Sequence, residues 1–118
     1  MCIRDRHNID GAEKLNEFLK TKKIKPIVLF GMLNNKKASL FLNKIKKRVS
    51  KVLAIKIPGE KNSFKTKQIN EICDIHSIKC EQINNINEAL KYFRSNRQKI
   101  YLITGSLYLI GKIRKRLL

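Results

Sequence analysis

The stretch "IYLITGSLYLIG", residues 100–111, contains two hydrophobic patterns that meet at Gly105 and Ser106. Its first part, residues 100–103, is a short apolar run of the kind that forms a buried strand. After the Gly-Ser pair, the apolar residues recur at helical spacing. Because glycine permits a tight turn and serine is a good helix cap, the stretch predicts a strand, a turn and a helix in direct succession.

The same alternation extends through the rest of the chain. Short apolar runs predict strands at 27–30, 52–57, 78–83 and 99–103. Apolar residues at helical spacing predict helices at 12–22, 38–49, 65–75, 86–97 and 107–117. Strands joined by helical crossovers form parallel sheets that are covered on both faces. The sequence therefore predicts an α/β fold: a Rossmann-like, mostly parallel sheet of about four strands, flanked by helices.

The start of the chain departs from this pattern. A sheet of this kind ordinarily begins with a strand, but the first predicted element here is a helix. Residues 1–6, "MCIRDR", show no strand pattern and resemble translated adapter sequence. We therefore expect residues 1–6 to be a non-native or truncated segment. Residues 7–118 are then expected to form one domain that has lost its first strand.

The formal charge of +18 suggests a nucleic-acid-binding protein. The lysines, however, are spread through every segment, and the abundant residue types Lys, Ile and Asn all have A/T-rich codons, as an AT-rich genome would produce. The chain has no Trp, and no aromatic residues alternate with arginines to form a stacking platform for bases. We interpret the charge as a solvated basic surface and disfavour nucleic acid as a partner. A basic α/β nucleic-acid-binding module is retained as an alternative.

The cysteines and apolar runs indicate a cytoplasmic protein. No apolar run is long enough to cross a bilayer, and no secretory signal is visible, so we expect no membrane partner. Cys2, Cys73 and Cys80 form no C-x-x-C pair, which suits a reducing compartment. Cys73 and His76 have helical i, i+3 spacing with Cys80 nearby, but a zinc site needs a fourth ligand, so a structural role is expected.

Ligands of parallel α/β sheets bind at the carboxyl ends of the strands. The loops at these positions are predicted at 31–37 ("GMLNNKK"), 58–64 ("PGEKNSF") and 104–106 ("TGS"). The Ser106 hydroxyl and the free N–H groups of the following helix suit a carboxylate or phosphate, although a capped helix that binds nothing is the alternative. The sequence contains no P-loop motif, and we expect this chain alone to catalyse nothing.

Four segments together resemble a known family. "HNIDGAEKL", "VLFGMLNNKK", "IPGEKNS" and "ITGSLYLIG" occur in the order and spacing seen in the C-terminal domain of folylpolyglutamate synthase/dihydrofolate synthase, of the Mur ligase superfamily. The resemblance implies an ATP-dependent ligase that activates a carboxylate as an acyl phosphate, which the amino group of L-glutamate then attacks. The acceptor would be dihydropteroate or tetrahydrofolate. A muramyl-peptide ligase C-terminal domain is a further alternative, although such domains tend to carry Gly-Lys-Gly-His-Glu where "TGSLYLIG" stands.

The resemblance also assigns residues. His7 and Asn8 match the family's Asp-x-Ala-His-Asn loop and Ser106 its Gly-Ser turn, which implies that these three residues lie near the glutamate. Arg4 stands where the motif has Asp, and Lys37 where the family often has Asp, so the roles of those acidic residues cannot be carried over. The resemblance implies that ATP and Mg are bound mainly by an N-terminal P-loop ATPase domain, which this sequence lacks. The expected partners are L-glutamate, the folate substrate, ATP and that domain.

Overall fold

The computed structural model describes residues 2–3, 9–34, 37–95 and 99–104. Strands and helices alternate along these residues. The strands are β1 (Cys2–Ile3), β2 (Ile27–Phe30), β3 (Lys51–Ile55), β4 (Cys80–Ile83) and β5 (Tyr101–Thr104). The helices are α1 (Ile9–Lys22), α2 (Ala38–Ile45), the 3-10 turn Lys46–Arg48, α3 (Thr66–Ile75) and α4 (Ile86–Ser95). The predicted final helix, 107–117, lies outside the described residues.

The described strands form one parallel sheet in the order β1-β5-β2-β3-β4. This arrangement confirms the predicted parallel α/β fold. Strand β5 lies between β1 and β2, so the sheet order differs from the chain order. All connections between neighbouring strands are therefore crossovers, as parallel pairing requires.

The expectation that the first six residues contain no strand is wrong. Cys2 pairs with Leu102 and Ile3 with Ile103, which adds β1 to the sheet beside β5. A strand of two residues is too short to show a two-residue periodicity, and its pairing partner lies almost the whole chain away. Neither signal is visible in a single sequence. The sheet therefore has five described strands rather than about four, and a strand occupies the position that was predicted to be empty.

The sheet separates two apolar cores. Every residue of β2 and of β5 is buried, as expected for central strands that are covered on both faces. On one face, Phe30 packs against Phe41 of α2 with 5.6 Å between the ring centroids, and α1 and α3 complete the layer. On the other face, Leu29 and Leu53 pack with the apolar side of α4. Burying each large side chain stabilises the fold by about 1.5–3 kcal/mol.

Local hydrogen bonds set the helix boundaries. The Asn85 side-chain oxygen accepts a hydrogen bond from the Glu88 N–H at 2.9 Å, which satisfies one of the free N–H groups at the start of α4. Helix α2 ends at Ile45 and continues as the 3-10 turn, whereas the sequence predicted one helix through residue 49. Tightening into a 3-10 turn is common at helix ends. Within the described part of the chain, no helix has the length and apolar character needed to cross a membrane.

Candidate functional site

The carboxyl ends of the parallel strands lie along one edge of the sheet, which we call the carboxyl edge. At this edge β1 is the neighbour of β5, with Ile3 aligned to Ile103. Neighbouring strands are about 4.8 Å apart. The chain segments that follow β1 and β5 therefore start from adjacent positions. These are the segments that carry the two motifs singled out in the sequence.

The predicted site residues His7, Asn8 and Ser106 lie outside the described residues, so their placement stays a prediction. The last described residue before the Gly-Ser turn is Thr104, which is fully buried and aligned with Phe30 of β2. Thr104 thus pairs with β2, and the two residues before it, Leu102 and Ile103, pair with β1 as well.

The loops after β2 and β3 are joined to each other at the same edge. Leu33 and Ser63 form an isolated antiparallel bridge, and the Phe64 N–H donates a hydrogen bond to the Met32 carbonyl at 2.9 Å. Two of the loops predicted from the sequence as ligand-binding candidates are therefore one connected structure. The sequence did not show this contact, because it joins segments about thirty residues apart.

Ser63 holds this structure in place. Its side chain is 4% exposed, its hydroxyl oxygen accepts a hydrogen bond from the Ile57 N–H at 2.9 Å, and its O–H donates to the Phe64 carbonyl at 3.0 Å. Because both functions of the hydroxyl are used internally, Ser63 shapes the loop. Sequence reasoning did not single it out, although it closes the segment "IPGEKNS" that contributed to the family resemblance.

A tight turn reverses the chain just after β3. The Glu60 N–H donates to the Ile57 carbonyl at 3.2 Å across Pro58 and Gly59, and Gly59 has a φ of +79°. Proline at the second position and glycine with positive φ at the third are typical of a type II turn. The turn leaves Lys61 exposed at the carboxyl edge.

Helix α3 begins at this edge and is tied to the edge strand of the sheet. The Lys65 N–H donates to the Gln68 side-chain oxygen at 2.9 Å, and the Thr66 hydroxyl donates to the side-chain oxygen of Gln82 in β4 at 2.9 Å. The start of α3 is thereby held against β4. Described contacts at the carboxyl edge therefore join the loop after β2 to the loop after β3, and the start of α3 to β4.

The cysteine and histidine cluster noted in the sequence separates into two contacts. Cys73 is buried, and the hydrogen bond that its thiol donates to Cys80 together with burial raises the pKa of Cys73. The same bond holds the pKa of Cys80 below its ordinary value. His76 lies elsewhere, with its Nε2 2.9 Å from the Ser39 hydroxyl. Among the described residues, no three His, Cys, Asp or Glu side chains are grouped so that they could hold a metal ion.

The parallel sheet, with helices packed on both faces and loops joined at the carboxyl edge, defines an α/β domain. No family model matches this sequence, and a search of curated proteins finds no match. Solved structures do match. Folylpolyglutamate synthase from Thermotoga maritima superposes with a TM-score of 0.81 at 23% sequence identity, over 96% of this chain and 26% of that chain.

Two further structures give the same result. The Mycobacterium tuberculosis folylpolyglutamate synthase complexed with ADP and AMPPCP has a TM-score of 0.83 at 15% identity, over 97% of this chain and 29% of that chain. The bifunctional folylpolyglutamate synthase/dihydrofolate synthase from Yersinia pestis, complexed with AMPPNP and Mn ion, has a TM-score of 0.80 at 20% identity, over 96% and 27%. The chain therefore has the fold of a part of these enzymes and spans little more than a quarter of their length.

Proposed function

We propose that this chain is the glutamate- and nucleotide-side domain of an ATP-dependent ligase that adds L-glutamate to dihydropteroate or tetrahydrofolate. The observation that carries the proposal is the match to a folylpolyglutamate synthase over 96% of the chain with a TM-score of 0.81. The four sequence segments that resemble this family support it independently, since that resemblance lies in the sequence and not in the fold. In this proposal the domain comprises residues 7–118, as the sequence predicts, together with β1, which pairs with β5 as its first strand.

The reaction proceeds in two steps. A folate or pteroate carboxylate takes the γ-phosphoryl group of ATP and becomes an acyl phosphate, with release of ADP. The amino group of L-glutamate then attacks the acyl carbon, an amide bond forms and inorganic phosphate leaves. The proposal assigns ATP and Mg mainly to a P-loop domain of the complete enzyme. The proposal assigns no metal ligand to this chain.

The proposed role of this domain is to position glutamate. Support comes from the adjacent carboxyl ends of β1 and β5, because "HN" at 7–8 follows β1 in the sequence and "GS" at 105–106 follows β5. The Ser106 hydroxyl and the N–H groups at the start of a helix are suitable donors for a carboxylate. Arg4 stands at the position of the motif's Asp, so the proposal includes no nucleotide contact there. We further propose a cytoplasmic location, in keeping with the free thiols of Cys73 and Cys80.

Fusion to the N-terminal domain of a related folate ligase tests the proposal. The fusion protein should ligate glutamate to a folate acceptor only when ATP is present. Ser106→Ala removes one hydrogen bond to a charged group, so it should raise the KM for glutamate about tenfold. The KM for ATP should change less than twofold. Ser95→Ala, on the exposed side of α4, is the matched control and should leave both values unchanged.

The two parts of the proposal fail separately. A folded fusion protein without ATP-dependent ligation would contradict the proposed function as a whole. Active fusion protein with an unchanged KM for glutamate in Ser106→Ala would remove only Ser106 from the site. The fusion protein and its two variants are compared at the same folate concentration.

A further inference from the structure

Basic residues gather at the edge of the sheet opposite to the carboxyl edge, where the strands begin. We call this the amino edge. Lys25 precedes β2 by two residues, Lys51 is the first residue of β3, Lys79 directly precedes β4, and Lys99 precedes β5 by two residues. Because the strands are parallel, these four lysines lie at the same edge of the sheet, with Lys51 and Lys79 level in the register and Lys25 and Lys99 two residues before that level. Lysines that are far apart in the sequence are thus brought together by the fold.

A cavity of about 270 Å³ opens at this edge between the end of α1 and the 3-10 turn after α2. It is lined by Leu19, Lys20, Lys23, Ile24, Lys25 and Arg48. Four of these six residues are cationic and none is acidic. We call this cavity the basic groove.

The cations of the groove have no carboxylate partners among the described residues. Ion pairs are found instead between Lys44 and Glu13 and between Lys51 and Glu81. Arg48 is half-buried, and its Nε donates a hydrogen bond to the Asn16 side-chain oxygen at 3.2 Å. This bond fixes the direction of the guanidinium group while its terminal N–H groups stay available for an anion.

Stabilisation of the helix ends explains only part of this arrangement. Lys20 lies in the last turn of α1, where a cation interacts favourably with the helix dipole by about 0.3–1 kcal/mol. Lys23 and Lys25, however, lie beyond the end of α1, and Arg48 belongs to another element. Helix α1, the loop that follows it and the 3-10 turn therefore all contribute cations to one groove. The dipole of a single helix does not explain this arrangement.

Composition alone disfavours nucleic acid as a partner, but the clustering of cations in one groove points the other way. We propose that the basic groove and the adjoining amino edge bind the phosphate backbone of duplex nucleic acid without reading its sequence. A groove whose cations have no carboxylate partner suits the closely spaced phosphates of a duplex, because the charge density of a duplex exceeds that of a single strand. The residues that line the groove include no aromatic side chain on which unpaired bases could stack, which favours a duplex. This surface lies opposite to the proposed ligase site, so the two proposals are independent.

The salt dependence of DNA binding by the full chain tests this inference. The probe is a short fluorescein-labelled duplex DNA, and its anisotropy is measured over a range of NaCl concentrations. If all four groove cations contact phosphates, log K should fall with log[NaCl] with a slope of about −3.6. Lys20→Glu/Lys25→Glu should make the slope shallower by about 2 and weaken binding about tenfold or more at low salt.

A matched control separates the groove from the net charge. Lys67→Glu/Lys91→Glu produces the same change in net charge at exposed positions of α3 and α4 and should weaken binding less than threefold. Lys20→Arg/Lys25→Arg keeps the charge and should bind like the wild type. If Lys20→Glu/Lys25→Glu does not fold, Lys20→Gln/Lys25→Gln takes its place, with the same expected change in slope.

Three results would overturn the inference. The first is an equal loss of binding in the groove variant and the matched control, which would mean that only the net charge matters. The second is competition by poly-L-glutamate as effective as that of unlabelled duplex at equal charge concentration, which would indicate an acidic polymer. The third is a slope shallower than about −1, which would leave fewer than two phosphate contacts.

Discussion

At the carboxyl edge the loop after β3 is held by a buried serine and a tight turn, whereas at the amino edge the strands begin among exposed lysines. Ser63 forms two directional hydrogen bonds in a position that is 4% exposed. The Lys51–Glu81 pair of the amino edge is partly exposed, with side-chain exposures of 28% and 44%. The stability of the carboxyl edge therefore depends on single hydrogen bonds. The stability of the amino edge depends on interactions between charges, which salt and pH change.

The largest effect is expected for removal of one hydroxyl group at the carboxyl edge. Ser63→Ala leaves the buried Ile57 N–H without its acceptor and should lower the free energy of unfolding by about 1–3 kcal/mol. Ser50→Ala is the matched change at the amino edge. The Pro26 carbonyl that Ser50 contacts keeps the hydrogen bond from the Ser50 N–H at 2.9 Å, so this variant should lose less than about 0.5 kcal/mol.

Urea unfolding followed by circular dichroism measures both serine variants. Equal losses for Ser63→Ala and Ser50→Ala would contradict the contrast between the two edges. A larger loss for Ser50→Ala would reverse it.

The turn after β3 should give the next largest effect. Gly59→Ala introduces a Cβ that meets nothing within 4 Å, but the φ of +79° is strained for any residue with a side chain. We expect a loss of about 1 kcal/mol from the backbone alone. Gly59→Asn should lose less, because asparagine tolerates this conformation better. Thermal melts rank the stabilities of the wild type, Gly59→Ala and Gly59→Asn. An alanine variant as stable as the wild type would contradict the backbone strain that we assign to this turn.

The ion pair at the amino edge should contribute less and should depend on pH. The hydrogen bond to Glu81 raises the pKa of Lys51 in the folded protein. A raised lysine pKa stabilises the fold below the unfolded value of about 10.4, and this contribution is lost as the pH rises through the pKa. Glu81→Gln should therefore destabilise by less than about 1 kcal/mol at pH 7, and the difference from the wild type should shrink above about pH 11.

Urea midpoints at pH 7 and pH 11 check this prediction. Glu71→Gln, at an exposed position of α3, is the control and should differ from the wild type by less than about 0.5 kcal/mol at both values. A stability difference between Glu81→Gln and the wild type that grows with pH would contradict a raised pKa of Lys51 as the source of the stabilisation.

The smallest effect on stability is expected for the basic groove. Lys20→Gln/Lys25→Gln removes two exposed charges from a cluster of like charges, so the free energy of unfolding should change by less than about 0.5 kcal/mol, in either direction. The same urea experiment at low and moderate NaCl measures it. A loss of more than about 1 kcal/mol would show that the groove lysines maintain the fold.

Local patterns predicted much of the fold. Strand β2 was predicted with its observed bounds, because Pro26 and Gly31 delimit a short apolar run. Helices α3 and α4 were also located correctly, since their apolar faces repeat at helical spacing. These elements have signals that are contained within a few residues. The parallel sheet then follows from their alternation.

Long-range contacts could not be predicted in the same way. The pairing of β1, the bridge between Leu33 and Ser63, and the convergence of lysines at the amino edge all join segments that are distant in the sequence. A single sequence carries no signal for such contacts. Of the candidate site, the sequence located the loops at the carboxyl edge but missed Ser63, whose partners are backbone groups. The roles of His7, Asn8 and Ser106 stay predictions.

The position of β5 between β1 and β2 has a consequence for how the molecule assembles. The two strands that come first along the chain do not touch, and the slot between them is filled by the strand that comes last among those described. Until β5 enters, β2 exposes one row of backbone hydrogen-bonding groups, so closure of the sheet must wait for a contact of long sequence separation, which is slow to form. The carboxyl ends of β1 and β5 become neighbours in that same step. Closure of the sheet and approach of the two segments that carry the proposed glutamate-binding residues would then be a single event.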